Sequence, residues 1–468
     1  MFNKSGSLAV AAGLTVAVCS VAVAGGNPFK DLTTTEGGYH TWDSDLINVD
    51  AVSQTGHGVY VAVLDTGLVP NWKDYFPNAR VATDLGTGFD QPVTFRSSSK
   101  NNPCGLEVDV GNLQQSTWVG STGSTHGTHV TSTILGYTYR SNSDAAQGFP
   151  LPAIVVRGIA PDVTVIPVRV LSDHQVPALP KCTDPGPQPS TNAVFGTDEQ
   201  VAAGIRYATD LKRAGYSPMV INMSLGGSEL AQVEKDAIDY AIANGVIVVA
   251  AAGNEGEAGM GFPGAYAPVI SAGAIGWTKE WLKPTDGLPR YRMWWLKDGD
   301  HVPPLLPNTG EVADPTAASD IYVTDFSSRQ LPGQQLDVLA PGSWVRGPFP
   351  GDPGFNHLPW WSNGIGDVKG GHNSGNFFYV GGTSMATPHT SALAALIMQK
   401  NPNLTQAQVE TLLKSTALPL AASGSRAIFD FDHDATITWD TDCGGTPCDA
   451  VGAGVIQADA ALSATPAP

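Results

Sequence analysis

Val59-Tyr60-Val61-Ala62-Val63-Leu64 is a continuous apolar run, rich in β-branched residues, that leads straight into Asp65-Thr66-Gly67. A run of this kind predicts a strand buried on both faces, the type from which parallel sheets are built. The same signature returns at Val163–Leu171, Met219–Met223 and Val246–Ala251. Between these strands lie two segments of helical spacing. Thr197–Ala214 places Val201, Ile205 and Ala208 on one face, and Glu229–Asn244 turns Val233, Ala237, Ile238 and Ala241 inward. Strand and helix in alternation predict an α/β fold: a parallel β-sheet flanked by helices on both faces, in three layers α/β/α. Function in such sheets gathers at the carboxyl ends of the strands. A small-residue helix follows Ser384 to about Lys400. Another covers Leu404–Thr416, with Thr405 as its N-cap and Gln408 three residues on.

Two stretches break this rhythm. Residues 277–324 are rich in Pro, Trp and charge, and residues 343–376 in Gly, Pro and Trp, without a clear period. Both read as loop insertions on a compact sheet. No internal repeat is present.

The 468 residues include 42% hydrophobic residues, enough for a sizeable core. The 53 Gly and 35 Pro predict many turns. A net charge of −18 argues against a nucleic-acid binder or an anionic-membrane binder, since both need a basic face. The first residues read as a signal peptide over 1–24: Lys4, an apolar run from Leu8, then Ala22-Val23-Ala24 as an A-x-A cleavage pattern. A membrane anchor fits this Ala- and Gly-rich run less well, and Val18 before Cys19 disfavours a lipoprotein site. The reading is therefore a secreted chain, extracellular or periplasmic, without stable membrane insertion.

Cys19 leaves with the signal, so Cys104, Cys182, Cys443 and Cys448 remain. An even count in an exported chain favours disulfides over metal, and no C-x-x-C spacing occurs. Four cysteines allow three pairings. Cys443-Gly-Gly-Thr-Pro-Cys448 is a turn able to close on itself, which would leave Cys104 with Cys182.

Four short motifs carry chemistry. Asp65 ends the first strand, where a carboxylate can orient a partner. Asp-Thr-Gly is also the aspartic-protease triplet, but that chemistry needs two such carboxylates and no second triplet exists. His126 opens His126-Gly127-Thr128-His129-Val130 at a helix start, a place for a general base. A zinc peptidase would need His-Glu-x-x-His, and no Glu stands between His126 and His129. Ser384 lies in Gly381-Gly382-Thr383-Ser384-Met385-Ala386-Thr387-Pro388, where glycines expose the hydroxyl and the helix aims its N-terminal N–H groups there. Pro388 fits an early helical turn, where its missing donor costs little. Asn254, in Ala251-Ala252-Gly253-Asn254-Glu255-Gly256, ends another strand and offers an amide to a developing oxyanion. Taken singly, Asp65, Ser384 and Asn254 read as a strand-end turn, a Ser N-cap and a turn asparagine, and His129 reads as a packed helix histidine.

The order Asp, His, Asn, Ser at element termini resembles that of the subtilisin-like (subtilase) serine peptidases. The resemblance runs from about Ile47 to Leu462. It includes Val61–Gly67, His126–Val130, Gly158–Pro161, Asn222–Gly227, Ala251–Gly256, Phe326–Ser328, Ala340–Gly342, Gly382–Pro388 and Gly452–Ile456. It implies acyl transfer with Asp65, His126 and Ser384 as triad and Asn254 in the oxyanion hole, on protein and peptide substrates. It implies no cofactor for catalysis and a monomer. Ser224-Leu225-Gly226-Gly227 resembles the strand that pairs with substrate. Ala251-Ala252-Gly253 resembles the opposite wall of the P1 pocket, and Gly261 its floor. Small residues there predict a large apolar P1 side chain, with Glu255 at the rim able to admit a basic one. Structural calcium is a further implication. Asp430, Asp432, Asp434, Asp440 and Asp442, and Asn142 with Asp144, supply oxygen-rich loops, although a solvated acidic loop explains them equally and no ligand set follows.

Relatives commonly carry a long prodomain, whereas residues 25–46 are too few to build one. Folding without a cleaved intramolecular chaperone is the expectation. So the domain reading is signal 1–24, a short segment 25–46, one peptidase domain 47–462 and a tail 463–468. A subtilase-fold binding protein without activity is the alternative, but none of the catalytic residue types is missing.

Overall fold

The computed structural model describes residues 40–97, 105–121, 123–139, 154–179, 182, 189–280, 317–350, 377–430 and 433–468. Among the described residues, one nine-stranded sheet dominates. Its order is Ile321–Val323, Ile270–Trp277, Ile247–Ala251, Met219–Met223, Tyr60–Asp65, Thr164–Arg169, Thr87–Asp90 and Gln114–Ser116, with Val338–Pro341 also beside Ile270–Trp277. The interior pairings are parallel, as in Val61 opposite Val220 on one side and Val165 on the other. Only Gln114–Ser116 and Ile321–Val323 run antiparallel.

The first strand shows why the sheet is covered twice. Val61 and Val63 enter one core, while Ala62 and Leu64 enter the other. Side chains alternate along a strand, so an all-apolar strand needs a cover on each face. On one face lie helices α3 (Asp198–Arg213) and α4 (Gln232–Ala243), supplying Ile205, Ala208, Ala237 and Ile238. On the other lie α2 (Thr125–Leu135) and α5 (Thr383–Lys400), supplying Val130, Ile134, Leu393 and Ile397. Thr197 caps α3 and Thr405 caps α6 (Gln406–Ser415), each in a capping box closed by Gln200 and Gln408.

The chain leaves Tyr60–Asp65 toward Thr87–Asp90 on one side, then returns through Thr164–Arg169 and crosses to Met219–Met223 on the other. The carboxyl end of the first strand is therefore a topological switch point, where a crevice opens.

Several boundaries differ from the sequence reading. The packed body starts before Ile47: α1 (Trp42–Leu46) buries Trp42 and Leu46 in the core. Its Asp43 Oδ2 accepts from His389 Nε2 at 2.9 Å. The end also lies further on, because α7 (Ala458–Ala464) buries Ala461 and Leu462, and Thr465 is buried too. Residues 1–24 and most of 25–46 lie outside the described residues. So do 281–316 and 351–376, the bulk of both insertions, although the first insertion contributes the edge strand Ile321–Val323. Cys443 and Cys448 form a disulfide with a Cα separation of 5.8 Å. Cys182 is disulfide-bonded, and Cys104 lies outside the described residues.

Candidate active site

Asp65 is fully buried at the end of its strand. Its carboxylate accepts from Thr66 N at 2.6 Å and stands 2.8 and 3.0 Å from His126 Nδ1. A carboxylate cannot donate when ionised, so Nδ1 carries the hydrogen and Nε2 is left as an acceptor. The first turn of α2 comes this close because position 127 is glycine. A Cβ there would lie 2.4 Å from Gly67 O and 3.1 Å from Asp65 Oδ1. Burial pushes the His126 imidazole down, but the charge and hydrogen bond of Asp65 outweigh it and raise it above the usual 6.5.

Ser384 sits in the first turn of α5, behind Gly382 at φ 157°. At that position its backbone N–H has no acceptor within the helix. Its hydroxyl donates to Ser224 O at 3.3 Å, and no hydrogen bond joins it to His126. Pro388 lies early in α5 and removes the donor that Ser384 O would use. Ser224 Oγ takes that place at 2.8 Å. The serine helix is thus bound in both directions to the segment Ser224–Gly227.

Asn254 is exposed, and Thr383 fixes its orientation. Thr383 N and Oγ1 donate to Asn254 Oδ1 at 2.9 and 3.0 Å. An amide nitrogen cannot accept these bonds, so Nδ2 carries both donors toward the open side. Thr383 Oγ1 also accepts from Gly253 N at 3.2 Å. The sequence reading did not single out Thr383; its place beside Ser384 was the available signal.

A cleft of about 980 Å³ runs along this edge, lined by His126 and by Ser224, Leu225, Gly226 and Gly227. Ala251, Ala252, Gly253 and Gly261 do not line it. They lie behind, with Gly261 N donating to Ala252 O at 2.9 Å. Gly227 and Phe262 bridge the two segments by bonds of 2.7 and 2.8 Å. A Cβ at Gly226 or Gly261 would stand 3.3 Å from the opposing carbonyl, so glycine permits this approach. Glu255 is held by Ser328, whose hydroxyl donates to Oε2 at 3.0 Å.

The rest of the lining was not anticipated. It includes residues of the hairpin Ser172–Val176 and Thr191–Phe195, with Asp198, Glu229 and Glu234. Glu234, not Val233, is the buried residue at the start of α4. It shares the stripe of Ala237, Ile238 and Ala241, a spacing legible in the sequence had the polar member been weighed.

Two carboxylates of the acidic loop are engaged locally. Asp440 Oδ1 accepts from Asp442 N at 3.0 Å and Asp442 Oδ1 from Gly445 N at 2.6 Å, so these carboxylates brace turns. No group of three or more His, Cys, Asp or Glu among the described residues is placed to hold a metal ion. Asn142, Asp144 and Asp432 lie outside them, as does the Asp430 side chain.

The fold is that of an α/β protein with a mainly parallel sheet, and a carboxylate-bound histidine, a helix-terminal serine and an oriented amide stand at element ends. The subtilase family model matches residues 56–444, and the chain belongs to that family. Fervidolysin of Fervidobacterium pennivorans is 26% identical over 409 residues, covering 87% of this chain and 41% of its own. Subtilisin E of Bacillus subtilis (strain 168) is 30% identical over 305 residues, covering 64% of this chain and 52% of its own. The chain thus spans about half, or less, of these two relatives. A solved structure of sphericase superposes with a TM-score of 0.49 at 23% identity, over 91% of this chain and 99% of that one.

Proposed function

We propose that the protein is a serine endopeptidase acting on protein and peptide substrates by acyl transfer. The carrying observation is the Asp65–His126 bond, which leaves Nε2 as a free base at the edge where α5 presents Ser384. On substrate binding the Ser384 hydroxyl leaves Ser224 O for His126 Nε2. Oγ attacks the peptide carbonyl as its proton passes to Nε2. Asp65 stabilises the imidazolium so formed. Asn254 Nδ2 and the Ser384 N–H receive the oxyanion. His126 returns the proton to the leaving amine, and water then repeats the sequence on the acyl-enzyme. Every step uses the chain's own groups, so no cofactor enters.

Substrate pairs its backbone with Ser224–Gly227. A large apolar residue at P1 goes between that segment and Ala251–Gly253, toward Gly261. The apolar start of the chain directs export, with removal near Ala24. No helix among the described residues is long and apolar enough to cross a membrane. The protein acts as a monomer.

Phenylmethylsulfonyl fluoride should abolish hydrolysis of an unfolded protein and leave its adduct on Ser384 by peptide mapping. Full activity with Ser384 unmodified would overturn this reading. In a peptide library, Phe, Leu, Met and Tyr should lead at P1, and Gly261→Val should depress Phe cleavage most. A strict Arg or Lys preference at P1 would refute the pocket assignment.

A further inference from the structure

The cleft carries more negative charge than its described lining satisfies. Asp198, Glu229 and Glu234 all line it, together with Asp173, and among the described residues no Lys or Arg does. Asp173 is bound by Ser121, so its charge is partly met. Glu234 differs. It is only 3% exposed, yet its Oε1 has no hydrogen-bond partner. Leaving a buried acceptor unpaired is costly, and such groups are uncommon in folded proteins.

Three ordinary explanations fail for Glu234. It does not cap its helix, because the N-cap is Ala231 and no side-chain cap bond is made. It is not paired from within: the adjacent Lys235 bonds Asp239 at 2.6 Å. It does not share a metal cage, since no three suitable side chains among the described residues are grouped to hold an ion. Burial, and next the nearby Asp198, push its carboxyl up to about 7. Burial with Glu199 and Glu229 likewise raises Asp198. The groups repel one another, and no Lys or Arg among the described residues lines the cleft beside them.

We propose that this pocket is a subsite for a Lys or Arg side chain of the substrate, upstream of the scissile bond, with Glu234 and Asp198 as the receiving carboxylates. This rests on the endopeptidase reading above. In that reading P1 sits against Ser224–Gly227, and the same segment continues along the pocket. The residues bound there are those preceding P1. A long cationic side chain fits the lining in both its parts. Its stem packs on Leu225, Val201 and Phe262, while its head reaches the acids. The protein's net charge of −18 also draws basic segments toward it.

The test is a set of internally quenched peptides with Phe fixed at P1. The second, third or fourth residue before the cut is set in turn to Arg, Lys, norleucine or Glu. At one of these positions Arg or Lys should exceed norleucine by about tenfold or more in kcat/KM, with Glu the poorest. Added salt should shrink that advantage. Glu234→Gln should bring the Arg-to-norleucine ratio toward one. Asp198→Asn, at an exposed position that carries little folding risk, should lower the same ratio. Melting curves confirm that both variants are folded. Equal rates for Arg and norleucine at all three positions would overturn the subsite. So would a ratio unchanged in both variants. Failure to cleave any peptide of the set would instead defeat the endopeptidase reading, and the subsite with it.

Discussion

The segment around Asn254 and Ser384 and the acidic lining of the cleft are built on opposite principles. Around Asn254 and Ser384 the fixed acceptors are met: Asn254 Oδ1 takes both Thr383 donors, Gly253 N reaches Thr383 Oγ1, and Ser384 O receives Ser224 Oγ. The lining of Asp198, Glu229 and Glu234 gathers like charges and leaves Glu234 Oε1 unpaired. On the proposed mechanism the first arrangement is preorganised, with the donors Asn254 Nδ2 and Ser384 N–H left for the charge that develops. The second is unfinished until something cationic enters. Reacting groups must not reorganise during the reaction, whereas a recognition wall gains selectivity when only the right ligand completes it.

Breaking the satisfied segment should have the largest effects. Ser384→Ala should lower kcat by roughly 10⁶-fold, a scale taken from subtilisin rather than derived from this chain. Titration with an active-site reagent checks that the remaining rate is not contamination, and unchanged turnover would remove Ser384 from the mechanism. Asn254→Ala should cost about 10²- to 10³-fold in kcat, again on the subtilisin scale, with KM little changed. A loss confined to KM would mean that the amide binds ground-state substrate rather than the oxyanion.

The unsatisfied lining should respond in the opposite sense, in stability. The Glu234 carboxyl rises from 4.5 to about 7 on folding, so its protonated form is favoured in the native state. Its contribution is intact below about 4.5 and is lost as pH rises through about 7. Glu234→Gln should therefore match the parent near pH 4.5 and exceed it above pH 7, by roughly 3 kcal/mol at most. Urea unfolding on a Ser384→Ala background, which prevents autolysis, measures the difference. A Gln variant less stable than the parent at pH 8 would mean that the carboxylate is paired after all.

The smallest expected effect sharpens the catalytic side of the comparison. Asp65 raises His126 above 6.5, so the neutral base forms only above that value. The acid limb of kcat/KM should therefore lie above pH 6.5. The same proton adds stability below 6.5 and that share is lost as pH rises through the raised value. An acid limb below pH 6.5 would show that burial dominates over the Asp65 charge.

The central fold was legible because its signals are local. VYVAVL, MVINM and VIVVAA are strands whatever surrounds them, and the observed strands Met219–Met223 and Ile247–Ala251 coincide with those runs to within a residue. Capping boxes at Thr197 and Thr405 likewise involve residues three apart. Other features depended on partners far along the chain. Trp42 and Leu46 join the core, and Asp43 meets His389 across 346 positions. Nothing in the run Thr41–Ile47 announces that partner, so the segment read as a preface. The donor that Pro388 withholds from Ser384 O is replaced from as far away, by Ser224, 160 positions from Ser384.

The sequence by itself determined the alternation of strand and helix and the residue types Asp65, His126, Asn254 and Ser384, each at an element's end. Periodicity, glycine and helix termini act over a few residues, and a chain read in order preserves them. Only the tertiary structure decided what each group faces. It turned His126 Nδ1 to Asp65, fixed the Asn254 amide through Thr383, and left Glu234 buried and unpaired in the cleft. Burial and hydrogen-bond direction are properties of the packed interior, set by which distant surfaces meet when apolar area leaves water.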